Sequence, residues 1–207
     1  MPLKWIRKNI IADGNCFFRA LYNSAIESGN IKKLIKSFKL SKNISEEEFI
    51  DEFREVLIER INNSKDYNIT RDIYNYLKSL DKDTYQAVLE AFPSWCQKSL
   101  RKLPSTFEGF RDKFVRHIAK RNTWISELEA RLTLKLLSKY KIPIQIHNSL
   151  PGKKEQLDCK TMHLLNEHEV HYNILVCRDC PPDKIVNPKS KRCVSKTGNI
   201  GKNLRNF

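Results

Sequence analysis

The chain has 207 residues, of which 40% are hydrophobic, and its 38 Lys and Arg against 24 Asp and Glu give a formal net charge of +14. This length predicts one main domain with a sizeable core. No apolar run approaches the ~18 residues of a membrane span, and the N-terminus lacks a secretory apolar region, so we expect a soluble, non-secreted protein. Six cysteines, unevenly spaced, do not suggest a disulfide scaffold, so most are expected to be reduced thiols inside a cell.

The positive charge is concentrated in two segments. Residues 93–122 and 178–207 each contain eight Lys or Arg and two acidic residues, a net charge of +6 each. A charge of this size suggests nucleic acid or another acidic partner. Neither segment has the interleaved aromatic residues of a base-stacking platform, so a solvated basic surface is favoured and nucleic-acid binding is kept as an unfavoured alternative.

The first two thirds of the chain are predicted to be helical. A sheet-like apolar run at 10–12 precedes a turn at 13–15, and an amphipathic helix begins at Cys16. Ser45 and Glu48 have the spacing of a capping box and open a long helix. Further helices are predicted at 70–80, 83–91, 94–102, 107–118 and 126–140.

The last third changes to a strand-like period. Strands are predicted at 142–148, 161–166 and 169–177. In the third strand, alternation places Tyr172, Ile174 and Val176 on a core face and His171 and Asn173 on the other face. The sequence therefore predicts an α+β fold in which helices pack on a small mixed β-sheet.

Cys16 is a candidate nucleophile because a helix N-terminus favours a thiolate and lowers the pKa of the thiol. Gly14 can adopt backbone angles that other residues avoid, so the loop from Asp13 to Cys16 can direct successive N–H groups at a developing oxyanion. The structural alternative is equally open from these residues alone. In it, Asp13 caps the helix and Cys16 is a small buried hydrophobic residue.

His171 is the candidate base because Asn173, two residues further along a strand, shares its face and can hold the tautomer of the imidazole. The other four histidines have no such neighbour. We therefore interpret His117, His147, His163 and His168 as structural or surface residues.

Three segments in order resemble the ovarian-tumour-type (OTU) cysteine proteases, most of which are deubiquitinases: "DGNCFFRAL" at 13–21, "TWISELEARLTLKLLSKYKIPIQIH" at 123–147 and "HYNIL" at 171–175. The resemblance covers about residues 5–177 and implies a papain-like OTU fold. It implies ubiquitin or polyubiquitin as substrate, with ubiquitin-like modifiers as further candidates, and neither a metal nor an organic cofactor. Its implied site comprises the nucleophile Cys16, the general base His171, the orienting residue Asn173, the loop-shaping Asp13, and the loop residues Gly14 and Asn15.

Many members of this family have Asp where this chain has Asn173. Asn keeps the orienting hydrogen bond but not the negative charge, which leaves open a catalytically weak ubiquitin-binding pseudoenzyme. If the side chain of Asn173 faces the imidazole, Asn173→Asp is expected to be tolerated or beneficial.

The C-terminal segment "CPPDKIVNPKSKRCVSKTGNIGK" at 180–202 resembles the two-cysteine adaptor segment of large DNA viruses, with Cys180 and Cys193 as its pair. This implies a protease domain at 1–177, a basic tail at 178–207, and a viral protein acting inside the infected cell, in the host cytoplasm. Zinc binding by Cys177, Cys180 and Cys193 is not favoured, since no Cys or His follows Cys193 to complete the ligand set.

Overall fold

The computed structural model describes residues 4–63, 67–90, 102–123, 125, 127–152, 157–167, 171–178, 184–186 and 193–195. Within these ranges the chain has seven helices, one four-stranded mixed sheet and a two-stranded ladder. The protein is therefore α+β, as the sequence predicts.

The helices are α1 (Cys16–Glu27), α2 (Ile31–Phe38), α3 (Glu46–Asn62), α4 (Tyr67–Ser79), α5 (Lys82–Glu90), α6 (Phe107–Ile118) and α7 (Glu127–Lys139). The strands are β1 (Lys4–Lys8), β2 (Ile144–His147), β3 (Met162–Glu167), β4 (His171–Arg178), β5 (Lys184–Val186) and β6 (Cys193–Ser195). The helices predicted at 70–80, 83–91, 107–118 and 126–140 and all three predicted strands are confirmed to within a few residues. The helix predicted at 94–102 lies outside the described residues.

The four-stranded sheet has the order β1-β4-β3-β2. Strand β4 is antiparallel to both of its neighbours, whereas β2 and β3 run parallel. Because β4 is central, its first residues have β3 on one side and the chain leaving β1 on the other. That chain continues directly into the loop before α1.

The two faces of β4 differ as the alternation predicts. Tyr172 and Ile174 belong to the main core, where the Phe17 ring of α1 lies 5.0 Å from the Tyr172 ring in an edge-to-face contact. Leu175, on the other face, packs with a smaller apolar cluster. Helix α1 thus covers one face of β4, and the first turn of α1 lies against the start of that strand.

The long helix α3 begins as predicted. Ser45 caps it by accepting a hydrogen bond from the Glu48 N–H, and the Glu48 side chain accepts one from the Ser45 N–H. The capping box is therefore confirmed. The buried face of α3, which includes Phe49 and Phe53, packs against α1, and the centres of the Phe53 and Phe18 rings lie 6.2 Å apart.

Two local predictions differ from the structure. The first strand lies at Lys4–Lys8 and not at 10–12, because the Ile10 N–H leaves the backbone ladder and donates to the Asn173 side chain. Helix α2 is not among the sequence predictions, although Leu34 and Phe38, four residues apart, form its buried side.

None of the described helices combines the length and the apolar character needed to cross a bilayer. Within the basic tail, β5 and β6 form an antiparallel pair in which Val186 is opposite Cys193. The division into residues 1–177 and 178–207 stays a prediction. Cys16 is a free thiol, whereas Cys159 is disulfide-bonded, so the expectation of reduced thiols does not extend to Cys159.

Candidate active site

Asp13 organises the loop that precedes Cys16. Its Oδ1 accepts a hydrogen bond from the Asn15 N–H at 2.9 Å, and its backbone oxygen accepts one from the Cys16 N–H at 3.1 Å. Its Oδ2 accepts from Arg19 Nε at 3.1 Å and Nη2 at 3.0 Å. The carboxylate therefore fixes the turn and also ties it to the first turns of α1.

Gly14 is required by close packing, not by its backbone angles. Its φ is not positive, but a Cβ at this position would lie 2.0 Å from the carbonyl carbon and oxygen of Asn122 and 2.5 Å from the Thr123 nitrogen. The expectation that Gly14 adopts unusual angles is wrong. The segment after α6 occupies the space that a side chain would need.

Asn15 fastens the same loop to the segment after α6 through a buried side chain. Its Nδ2 donates to Asn122 Oδ1 at 2.6 Å, and its Oδ1 accepts from the Asn122 N–H at 3.2 Å and from Arg54 Nη2 at 2.8 Å. Asn15 precedes α1 but makes no side-chain capping bond to it. Its role in this structure is to hold the loop in place.

Arg54 of α3 is a residue of this site that the sequence reasoning missed. Its side chain is buried, its guanidinium lies 4.4 Å from the centre of the Phe18 ring, and Nη1 donates to the Ile118 carbonyl at 2.8 Å. Nη2 also approaches the Gly14 and Thr123 carbonyls at 3.4 Å. Arg54 lies four residues after Ile50 on a buried helix face, and this position could have indicated a buried cation.

Cys16, at the first position of α1, is 2% exposed. Burial and the nearby Asp13 carboxylate raise the pKa of its thiol to about 11, against the opposing effect of the Tyr172, Phe17 and Cys16 backbone N–H groups. The expected lowering of this pKa is therefore wrong, because desolvation outweighs the helix N-terminus. The Tyr172 contact also places the sulfur next to the strand that begins with His171.

His171 is the first residue of β4 and is half-buried. Its Nδ1 is buried and makes no hydrogen bond within the described structure. In the antiparallel register of β3 and β4, the residue directly opposite His171 is Glu167. The backbone N–H of Tyr172, the residue after His171 in β4, acts on the Cys16 thiol, so the sulfur lies beside the start of this strand.

Asn173 does not orient His171 in the predicted way. Its side chain is fully buried, its Oδ1 accepts from the Ile10 N–H at 2.7 Å, and its Nδ2 donates to Glu167 Oε2 at 2.6 Å. A carboxylate can only accept, so the amide group must face Glu167 and the carbonyl must face Ile10. The condition for a tolerated Asn173→Asp is therefore absent, because a second carboxylate would meet Glu167.

The predicted oxyanion hole is not preformed. The Asn15 and Cys16 N–H groups both donate to Asp13, whereas the Gly14 N–H makes no hydrogen bond within the described structure. Of these three loop N–H groups, that of Gly14 is the one that can donate a hydrogen bond to a developing oxyanion without rearrangement. Catalytic hydrogen bonds commonly tighten only when substrate is bound.

Two of the other histidines form a pair with each other. His147 Nε2 and His163 Nδ1 are 3.0 Å apart in a buried pair, and His163 Nε2 is 2.9 Å from the Asp158 carbonyl. His117 is buried on α6, and His168 lies outside the described residues. In the described part of the chain, no three His, Cys, Asp or Glu side chains cluster as metal ligands. The side chains of Cys177, Cys180 and Cys193 lie outside that part.

No protein-family model matches this chain, and no curated protein matches it by sequence. The described part of the site consists of a buried thiol at a helix start, a turn held by Asp13 and Asn15, and a strand that begins with a histidine.

Proposed function

We propose that this protein is an OTU-type cysteine protease that hydrolyses the peptide or isopeptide bond after the C-terminal Gly of ubiquitin or a ubiquitin-like protein. The observation that carries the proposal is that the backbone N–H of Tyr172, the residue after His171 in the chain, acts on the Cys16 thiol and opposes the rise of its pKa. The resemblance of the segments around Cys16 and His171 to that family supplies the substrate class. The resemblance of residues 180–202 to the adaptor segment of large DNA viruses would place the activity in the cytoplasm of an infected cell.

The reaction follows from the two side chains. His171 takes the proton from the Cys16 thiol, and the thiolate attacks the carbonyl carbon to form a tetrahedral adduct. The protonated imidazole gives that proton to the leaving amine, and an acyl-enzyme thioester remains. His171 then activates a water molecule, which releases the carboxylate product and restores the thiol.

Proton transfer to His171 is essential because the thiol is held in its protonated form. With a pKa of about 11, the buried Cys16 thiol of the free protein is ionised in roughly one molecule in 10⁴ at pH 7. His171 must therefore take the proton as the sulfur attacks an electrophile. The Gly14 N–H would meet the oxyanion first, and release of the Asp13 contacts would add the N–H groups of the loop.

The same burial favours a second candidate, a ubiquitin-binding pseudoenzyme. A thiol that is 2% exposed, with a raised pKa and with two loop N–H groups occupied by Asp13, can be a structural residue under a docking surface. The two candidates share a fold and differ in turnover.

The test is labelling by a ubiquitin probe that carries a C-terminal electrophile. The wild type should form a covalent adduct at Cys16, and Cys16→Ala should form none. Ser24→Ala is the matched control, since Ser24 is equally small, is 2% exposed and lies on the same helix, and it should be labelled like the wild type. Labelling of Cys16→Ala to the wild-type extent would exclude Cys16 as nucleophile. A folded wild type that binds ubiquitin but is not labelled would favour the pseudoenzyme.

A further inference from the structure

Glu167 lies where the candidate site needs a negative charge. It ends β3 directly opposite His171, and directly opposite residues of an antiparallel pair project from the same face with Cβ atoms about 5 Å apart. The residue two positions after His171 is an uncharged Asn. The described surroundings of His171 therefore contain a carboxylate, but it comes from the neighbouring strand.

The two oxygens of Glu167 have different partners. Oε1 forms an ion pair with Arg7 of β1 at 2.8 Å, and the Arg7 side chain is 42% exposed. Oε2 accepts from the fully buried amide of Asn173 at 2.6 Å. The Arg7 pair lies at the surface and is screened by water, whereas the Asn173 bond reaches the interior of the site.

Asn173 connects this carboxylate to the cysteine loop. Glu167 fixes the direction of the Asn173 amide, and the amide oxygen holds the Ile10 N–H at 2.7 Å. Ile10 lies at the start of the segment that leads through the Asp13 turn to Cys16. A single hydrogen-bonded chain thus joins the strand of the base to the loop of the nucleophile.

We infer that Glu167 is the acidic positioning residue of the Cys16–His171 pair, aligning it through Asn173 and stabilising the protonated imidazole from the adjacent strand. This inference rests on the proposed function for its substrate but not for its geometry. In this role Glu167 takes no proton from the reaction, and the proton moves only between Cys16, His171 and the leaving amine.

The first experiment measures kcat and KM for a ubiquitin–fluorophore amide with Glu167→Gln. We expect kcat to fall about tenfold while KM changes less than threefold, because the lost charge acts on the protonated imidazole and not on substrate binding. Glu27→Gln is the matched control. Glu27 pairs with Lys8, the neighbour of Arg7, at 3.1 Å and should leave kcat unchanged. A Glu167→Gln enzyme with wild-type kcat would overturn the inference.

The second experiment exchanges the charge between the two partners. Asn173→Asp places two carboxylates at hydrogen-bonding distance, and we expect at least a tenfold loss of kcat. In Glu167→Gln with Asn173→Asp, the Gln amide can donate to the new carboxylate, which still accepts from the Ile10 N–H. We expect this double variant to return to within about threefold of wild type, whereas two independent structural defects would add to one another. A double variant no better than Asn173→Asp would contradict the inference.

Alkylation of Cys16 by chloroacetamide, followed by mass spectrometry of its peptide, separates this inference from the choice of substrate. If ubiquitin is not cleaved but His171→Ala and Glu167→Gln both slow alkylation and Glu27→Gln does not, the substrate is wrong and the role of Glu167 stands. If ubiquitin is cleaved and Glu167→Gln alters neither alkylation nor kcat, the role of Glu167 fails and the protease stands.

Discussion

The backbone of Gly14 packs against the backbone carbonyl of Asn122, so closely that a Cβ would lie 2.0 Å from its carbon and oxygen. This relationship joins the loop before Cys16 to the segment between α6 and α7. The loop cannot move away without breaking the hydrogen bonds that Asn15 makes to Asn122 and Arg54.

Gly14→Ala should therefore damage both stability and activity. The methyl group meets backbone atoms that have no rotamer to change, and we expect a loss of at least about 2 kcal/mol in the free energy of unfolding. Gly152→Ala is the control, since a Cβ there meets nothing within 4 Å. Denaturant unfolding of both variants checks this, and a Gly14→Ala protein as stable and active as Gly152→Ala would show that the contact is not tight.

Arg54→Lys should destabilise the protein although it keeps the charge. The guanidinium donates in different directions to the Ile118 carbonyl and the Asn15 Oδ1, and one ammonium group cannot reproduce this fork. We expect a loss of about 2–3 kcal/mol, against less than about 0.5 kcal/mol for the exposed Arg116→Lys. Equal midpoints of urea unfolding for the two variants would argue against a structural role for Arg54.

The parts that sequence could predict are those fixed by neighbours along the chain. The capping box joins Ser45 and Glu48, which are three positions apart, and the alternation of Tyr172 and Ile174 follows from strand geometry. Both were predictable because their partners lie within one turn or one strand.

The parts that sequence could not predict depend on pairs far apart in the chain. Asn15 and Asn122 are 107 residues apart, and Ile10 and Asn173 are 163 residues apart. The register that places Glu167 opposite His171 depends on how β3 and β4 pair, and a shift of one residue would move every side chain to the other face. The raised pKa of Cys16 likewise results from burial by the whole domain, which a helix-start pattern does not contain.

The reactivity of the Cys16 thiol should depend steeply on pH. Because its pKa is raised to about 11, the thiolate fraction in the free protein should grow about tenfold per pH unit from pH 7 to 10. Alkylation by chloroacetamide, followed by mass spectrometry of the Cys16 peptide, should follow that increase. A rate that is already constant above pH 7 would mean that the free protein holds a thiolate.

The free energy of unfolding should fall as the pH rises, because of the same raised pKa. The folded thiol has a higher pKa than the unfolded one, so its contribution to the free energy of unfolding is complete below about pH 8.5 and is lost as the pH rises towards 11. Cys16→Ala removes this titration. Above pH 9 the Tm of the wild type should therefore fall relative to that of Cys16→Ala. A difference in Tm that does not change with pH would contradict the raised pKa.

The most direct test is turnover of a ubiquitin–fluorophore amide by the wild type, Cys16→Ala and His171→Ala, with folding checked by circular dichroism. We predict many turnovers by the wild type, none above background by Cys16→Ala, and at least a ~100-fold lower kcat for His171→Ala. Wild-type turnover by folded Cys16→Ala, or no turnover by a folded wild type that binds ubiquitin, would contradict a Cys16–His171 protease.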